Sequence, residues 1–284
     1  MDSVEARVCA IREKILDAFR PLEYVDEGHR YFLDGKELPS VSTVIHQFEH
    51  PFNTETIARN YAAKHGNTAE YWIKYWDKLS KDATTAGTAV HNFAESYVNL
   101  RFGVKEGVLP SCRDAFDGTV LTPRCPKEMA VLRFWREMNP NLHFVLAETK
   151  VFSGVGAYLQ RMGKQTATEP LHLKQHFAGT FDLLMYYDDP VNPEQSGLVI
   201  FDYKTNKDLE NSFSRNRNRT LYHPFSHFIE EAKSIYTLQL SCYQIPLEEL
   251  GLKVLTRRLV WLRDTGQYQL VKLNDVSNTL KHIL

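Results

Sequence analysis

An α/β fold is predicted, with a central mixed sheet flanked by helices and preceded by a helical N-terminal part. Three observations in the 284-residue sequence predict it. The first half shows apolar residues at three- and four-residue steps, the period of an amphipathic helix. Near residue 143 the period drops to two, that of a half-buried strand. A second long helical stretch then separates the first strands of this half from the last two, as a crossover does in a mixed sheet.

In order along the chain, Val4, Val8, Ile11, Ile15 and Phe19 make residues 3–20 an amphipathic helix. Asp34-Gly35, inside residues 29–38, is a tight-turn pair that predicts a hairpin. Pro39-Ser40 opens a further helix start. Residues 53–80 have helical spacing rich in aromatics (Tyr61, Tyr71, Trp72, Tyr75, Trp76), and 84–101 read as another helix closed by Gly103. Aromatics at helical spacing usually face inward, so most of these are expected in the core. Residues 104–125 read as loop and 127–139 as helix. Strands are predicted at 143–153, 175–187 and 198–206, the last two joined as an antiparallel hairpin by the turn-rich DDPVNPEQSG. Residues 226–250 read as a long helix, ended early or kinked by Pro246. Residues 253–274 read as two strands meeting at Thr265-Gly266, followed by a short helix; 154–174 is an insertion-like excursion. The domain reading is a helical part, 1–125, packed on a core, 126–284, as one integrated domain.

Composition excludes some functions. Thirty-four Lys and Arg stand against 35 Asp and Glu, a formal net charge of −1. That balance excludes a polyanion binder working through bulk charge, though a local basic path can still lie beside an acidic cleft. Cys9, Cys112, Cys125 and Cys242 contain no C-x-x-C, and four reduced thiols in a cytosolic compartment are expected. No stretch is long and apolar enough to span a bilayer, and the N-terminus does not read as a signal peptide. The expectation is a soluble cytoplasmic protein (host cytoplasm if viral) with no membrane partner.

The segment densest in chemistry is GTFD (179–182) followed twenty residues on by FDYK (201–204). Alternation puts Asp202 and Lys204 on one face of a strand and Tyr203 on the other. A hairpin partner brings Asp182 to them. Two adjacent carboxylates repel unless a divalent cation neutralises them, and Mg²⁺ or Mn²⁺ with carboxylate and phosphate oxygens suits a phosphodiester substrate. The apolar run before Asp202 makes its strand buried, which argues against a merely exposed ion pair. His91 and Glu95 share a helical face, as do Gln239 and Tyr243. Arg215, Arg217 and Arg219 alternate with polar residues in a loop suited either to solvent or to phosphate contacts. Aromatics on the N-terminal helices offer stacking for single strands.

Taken together, HNFAE (91–95), GTFDLL (179–184), FDYKTNK (201–207) and LQLSCY (238–243) resemble, in order, the motifs of the PD-(D/E)xK nuclease superfamily, RecB-type exonuclease branch. The upstream residues 29–45 are similar to the segment before the core in phage exonucleases and mitochondrial genome-maintenance exonucleases. The resemblance covers roughly residues 30–250 and implies a restriction-endonuclease-like core. It implies His91, Asp182, Asp202 and the Tyr203 carbonyl as metal ligands, Lys204 as the residue that positions or activates water, and Gln239 and Tyr243 as supports for substrate or Lys204. Glu95 and Glu148 are implied as supporting acidic residues, with the spacing to Glu148 stretched by 154–174. The cofactor implied is Mg²⁺ or Mn²⁺. An iron–sulfur cluster is not expected, since no cysteine trio follows Cys242; nor is ATP, since there is no Walker motif. The implied activity is a DNA exonuclease on linear or single-stranded ends, in recombination, repair or replication, with a single-strand-annealing or replication protein as a further partner. The alternatives are a flap or junction endonuclease, or a nuclease-fold module that binds nucleic acid without cutting.

Overall fold

The N-terminal helix, α1 (Val4–Phe19), opens at a Ser3 cap whose hydroxyl accepts from the Ala6 N–H at 3.2 Å. The computed structural model describes residues 3–103, 121–164, 171 and 173–284. After α1 come three short strands, β1 (Leu22–Val25), β2 (Arg30–Leu33) and β3 (Lys36–Leu38), forming a small antiparallel sheet. The Asp34-Gly35 turn is the predicted one, with both residues at positive φ. Strand β1 was not anticipated: its four residues are too few to show an alternation.

The helices α2 (Val41–His46), α3 (Thr54–His65) and α4 (Ala69–Phe102) follow. The expected break between 80 and 84 does not occur. Lys81, Asp82 and Ala83 carry no breaker, and the helix runs on for 34 residues, about 51 Å at 1.5 Å each. The break falls instead at Gly66-Asn67, both at positive φ. Helix α5 (Pro126–Glu137) starts with Pro at its first position, where a missing N–H costs nothing. The predicted loop 104–125 lies outside the described residues as far as 120; 121–125 are irregular.

The main sheet has five strands in the order β4 (Leu142–Phe152), β5 (Ala178–Tyr187), β6 (Gly197–Lys204), β7 (Val254–Leu262), β8 (Tyr268–Leu273). Neighbours are antiparallel except β6 and β7, which are parallel and joined through α8 (Ala232–Glu249). Pro246 lies inside α8, which continues to Glu249. The excursion after β4 begins with α6 (Val155–Arg161); residues 165–170 and 172 lie outside the described set. A short α7 (Ser212–Asn216) precedes α8, and α9 (Ser277–Ile283) closes the chain.

The sheet separates two cores. Helices α1, α2 and α8 pack with Val145, Leu184 and Ile200 on one face. On the other, Val90, Ala94, Val98 and Phe102 of α4 join Phe134 and Trp135 of α5 against Leu183, Phe201 and Val260. The N-terminal helices thus share their cores with the sheet. No helix among the described residues is long and apolar enough to cross a membrane. Cys9 is disulfide-bonded, while Cys125 and Cys242 are free. The expectation of four reduced thiols fails at Cys9, and the cysteines give no argument for a reducing compartment; Cys112 lies outside the described residues.

Candidate metal centre at a forked sheet

Strands β5 and β6 pair only from Tyr187↔Gly197 to Leu183↔Phe201. Beyond that rung β5 stays with β4 as far as Ala178, while β6 stays with β7 as far as Lys204. The sheet therefore forks at Asp182 and Asp202. Such a crevice at the carboxyl end of a strand, where neighbours part, is where open α/β sheets bind ligands.

Asp182 bridges the fork: its Oδ2 accepts the Tyr203 N–H at 2.7 Å, replacing the rung the strands no longer make. The same oxygen lies 3.4 Å from His91 Nδ1, on the last part of α4. Helix α4 reaches the fork closely, since a Cβ on Gly87 would stand 3.2 Å from Thr205 Oγ1, just beyond Lys204.

Glu148 enters from β4. The ladder flanks it with Ala147↔Leu183 and Thr149↔Phe181, so it faces Asp182 across the strands. A bulge between Phe144 and Leu146 shifts the register by one residue; without it Ala147 would stand there. Buried Arg12 of α1 reads the bulge, donating to Val145 O at 2.8 Å and Phe144 O at 3.1 Å. Glu148 itself has φ +46°, a costly conformation for a non-glycine residue inside a strand and one found at functional sites.

His91, Glu148 and Asp182 each offer a ligand atom within 4.8 Å of the others. Burial, then the charges of Asp182 and Glu95, raise the Glu148 carboxyl to about 8. Exposed Glu95 thus acts on Glu148 through its charge. Asp202, 2% exposed at its side chain, is raised to about 6, by burial first and then by Asp182, against the pull of Lys204 and His91. A hard dication relieves both stresses, and one imidazole with carboxylates is a donor set that suits Mn²⁺ or Mg²⁺.

Asp202 stands outside the close trio because its Oδ2 meets Lys204 Nζ at 2.6 Å. Burial alone would lower Lys204, but Asp202 and Asp182 outweigh it and hold the ammonium charged. Nζ also lies 4.3 Å from the centre of the Tyr236 ring on α8. Tyr203 points the other way, its hydroxyl accepting from Trp135 Nε1 at 3.0 Å, as the alternation required. Gln239 Nε2 donates to the Tyr243 hydroxyl at 3.0 Å. Tyr243 is buried against Gly179, where a Cβ would lie 2.6 Å from Tyr243 Cε1 and 3.0 Å from Val41. That close approach explains the glycine of GTFD.

No protein-family model matches the chain, and no curated protein matches it.

The predicted site residues His91, Asp182, Asp202, Lys204, Gln239 and Tyr243 thus assemble around one crevice. Glu148 joins them as a full member of the close donor group. Tyr236 and Trp135 were missed; Tyr236 lies three and seven residues before Gln239 and Tyr243, a helical-face spacing that could have flagged it. The arginine loop is only partly available. Arg215 pairs with Glu231 through two bonds of 2.8 Å, and Arg219 with Glu230 at 2.9 Å. Arg217 instead lies over Phe213 at 4.0 Å. Among the aromatics of residues 53–80, the three tyrosines are not core residues: Tyr61, Tyr71 and Tyr75 are 38%, 48% and 45% exposed. Between Ala69 and Ala89, α4 has no buried residue; α3 packs beside it.

Proposed function

We propose that this protein is a metal-dependent DNA nuclease that hydrolyses phosphodiester bonds, working as an exonuclease on linear or single-stranded ends. The observation that carries this reading is the close trio His91, Glu148 and Asp182 beside the buried Asp202–Lys204 pair. The order of the sequence motifs, similar to RecB-type nucleases, supports it.

The trio would hold Mg²⁺ or Mn²⁺, with Asp202 at its edge and the Tyr203 carbonyl as an expected backbone ligand. Bound there, the ion would polarise a phosphoryl oxygen and make a water more acidic. Lys204, kept charged by its two aspartates, places a fixed ammonium where negative charge grows on the phosphate, or orients the attacking water. Tyr243 takes a hydrogen bond from Gln239 and so keeps its own O–H to donate into the crevice.

The projecting α3–α4 hairpin supports an end-bound single strand. Tyr71 and Tyr75 stack with rings 6° from parallel, and Tyr61 packs on Trp72 at 4.6 Å. At its base a cavity of about 580 Å³ is lined by Phe52, Tyr61, Lys64, Phe213 and Arg217. Exposed rings beside cations suit stacked bases and phosphates.

The test is degradation of linear DNA with Mg²⁺ or Mn²⁺, with EDTA, and with Lys204→Ala. Metal-dependent cleavage lost in the variant is expected; undiminished cleavage in EDTA or by the variant sinks the mechanism. A covalently closed single-stranded circle tests the end requirement, and its cleavage would favour the endonuclease alternative.

A further inference from the structure

At the other end of β6 from the fork, on the face that carries α5, the sheet floors a cavity of about 920 Å³ that none of the fork residues lines. Its floor is apolar, with Val199 and Phe201 of β6 beside Phe134 of α5. Tyr268 packs edge to face on buried Phe134 at 5.6 Å and 81°, so half-buried Tyr268 is the ring the cavity offers to a planar group.

The rim is cationic. Arg258 and Lys272 are direct cross-strand partners on β7 and β8, and both line the cavity. Side chains so opposed stand on one face about 5 Å apart at Cβ, where like charges destabilise a sheet. Neither has an ion-pair or hydrogen-bond partner among the described residues. Lys253 adds a third cation; its ammonium donates to the Glu194 carbonyl and has no ion-pair partner among the described residues. The one carboxylate among the described lining residues, Glu137, acts on the Tyr268 hydroxyl, which burial first and then that charge push up.

A sheet that keeps two opposed cations above an aromatic floor is complementary to an anion with a flat apolar part. We propose that this cavity is a binding site for a nucleoside phosphate, with the base against Tyr268 and the phosphate between Arg258 and Lys272. Inorganic phosphate would leave the floor unfilled, and a free nucleoside would leave the cations unpaired. The volume lies within the roughly 300–1,000 Å³ of small-molecule sites. The proposal does not rest on the nuclease reading.

Calorimetric titration with dAMP in EDTA, with adenosine and inorganic phosphate as comparisons, tests it. Saturable dAMP binding is expected, with each comparison ligand weaker by about tenfold or more, the scale of losing one charge-assisted or stacking contact. Lys272→Glu should have two opposite effects. It weakens dAMP binding by about tenfold or more, yet raises the melting temperature because a repulsive cross-strand pair becomes attractive. Asp182→Asn should keep wild-type dAMP affinity. The proposal is overturned if wild type shows no saturable binding, if inorganic phosphate binds as tightly as dAMP, if Lys272→Glu leaves affinity unchanged, or if Asp182→Asn abolishes it, since the ligand would then sit in the fork.

Discussion

Helix α4 belongs to two different environments. Its last turns deliver Val90, Ala94, Val98 and Phe102 to a packed core and set His91 at the fork. Its first turns, with α3, bury almost nothing and display tyrosines to solvent. At the fork, charges are held out of water by neighbours that leave few alternative positions. On the arm, side chains touch mainly one another. The fork holds charge at fixed places, while the arm leaves its tyrosines exposed.

The sharpest way to break this contrast is at the fork. Asp182→Asn keeps an oxygen to accept the Tyr203 N–H but removes a charge from the metal group. Cleavage should fall by about a thousandfold, the scale of losing one preorganised group at a reacting phosphate, with circular dichroism unchanged. Cleavage within a few-fold of wild type would remove Asp182 from the chemistry.

Gly179→Ala comes next. A methyl 2.6 Å from Tyr243 Cε1 must displace a buried ring, costing about 1–3 kcal/mol in denaturant unfolding, as overpacking does. An unchanged midpoint would mean that the crevice wall yields freely.

The fork should also show itself in pH dependence. Glu148 is raised to about 8 when folded, chiefly by burial and by Asp182, so the folded state keeps a proton that the unfolded state releases near its ordinary value. Raising pH from about 5 to 8 therefore favours unfolding, and the melting temperature in EDTA should fall across that window. Glu148→Gln should flatten the fall, and so should Mn²⁺, which binds the ionised form. A melting temperature that rises with pH in EDTA would contradict the buried like-charge cluster.

The smallest effect on the fold is expected on the arm. Tyr71→Ala with Tyr75→Ala should change stability by only about 0.5 kcal/mol, as exposed substitutions do. The same pair should weaken single-stranded DNA binding by about tenfold, near the stacking free energy of one base. A large loss of stability would make these rings structural after all.

Much of the fold was legible because its signals are local. The period of α1, the Asp34-Gly35 turn, the hairpin from β5 to β6 and the alternation that parts Asp202 and Lys204 from Tyr203 are properties of a few consecutive residues. So was the meeting of Asp182 with Asp202 and Lys204; Glu148 was expected only in a supporting place, because its distance along the chain from Asp182 obscured it. The excursion after β4 lengthens a hairpin connection without altering which residues face each other across it.

What only tertiary structure decided depends on partners far away in the chain. A helical period in 69–89 says which residues share a stripe, but whether that stripe is covered depends on how far the sheet extends beneath it. Three alternating arginines declare charge, but the carboxylates of Glu230 and Glu231 decide how much of it is left. Glu148 reaches Asp182 because a bulge read by Arg12 moves β4 by one residue. Sequence spacing determined the faces of each element; the register between strands, and the place where two of them part, determined which faces meet.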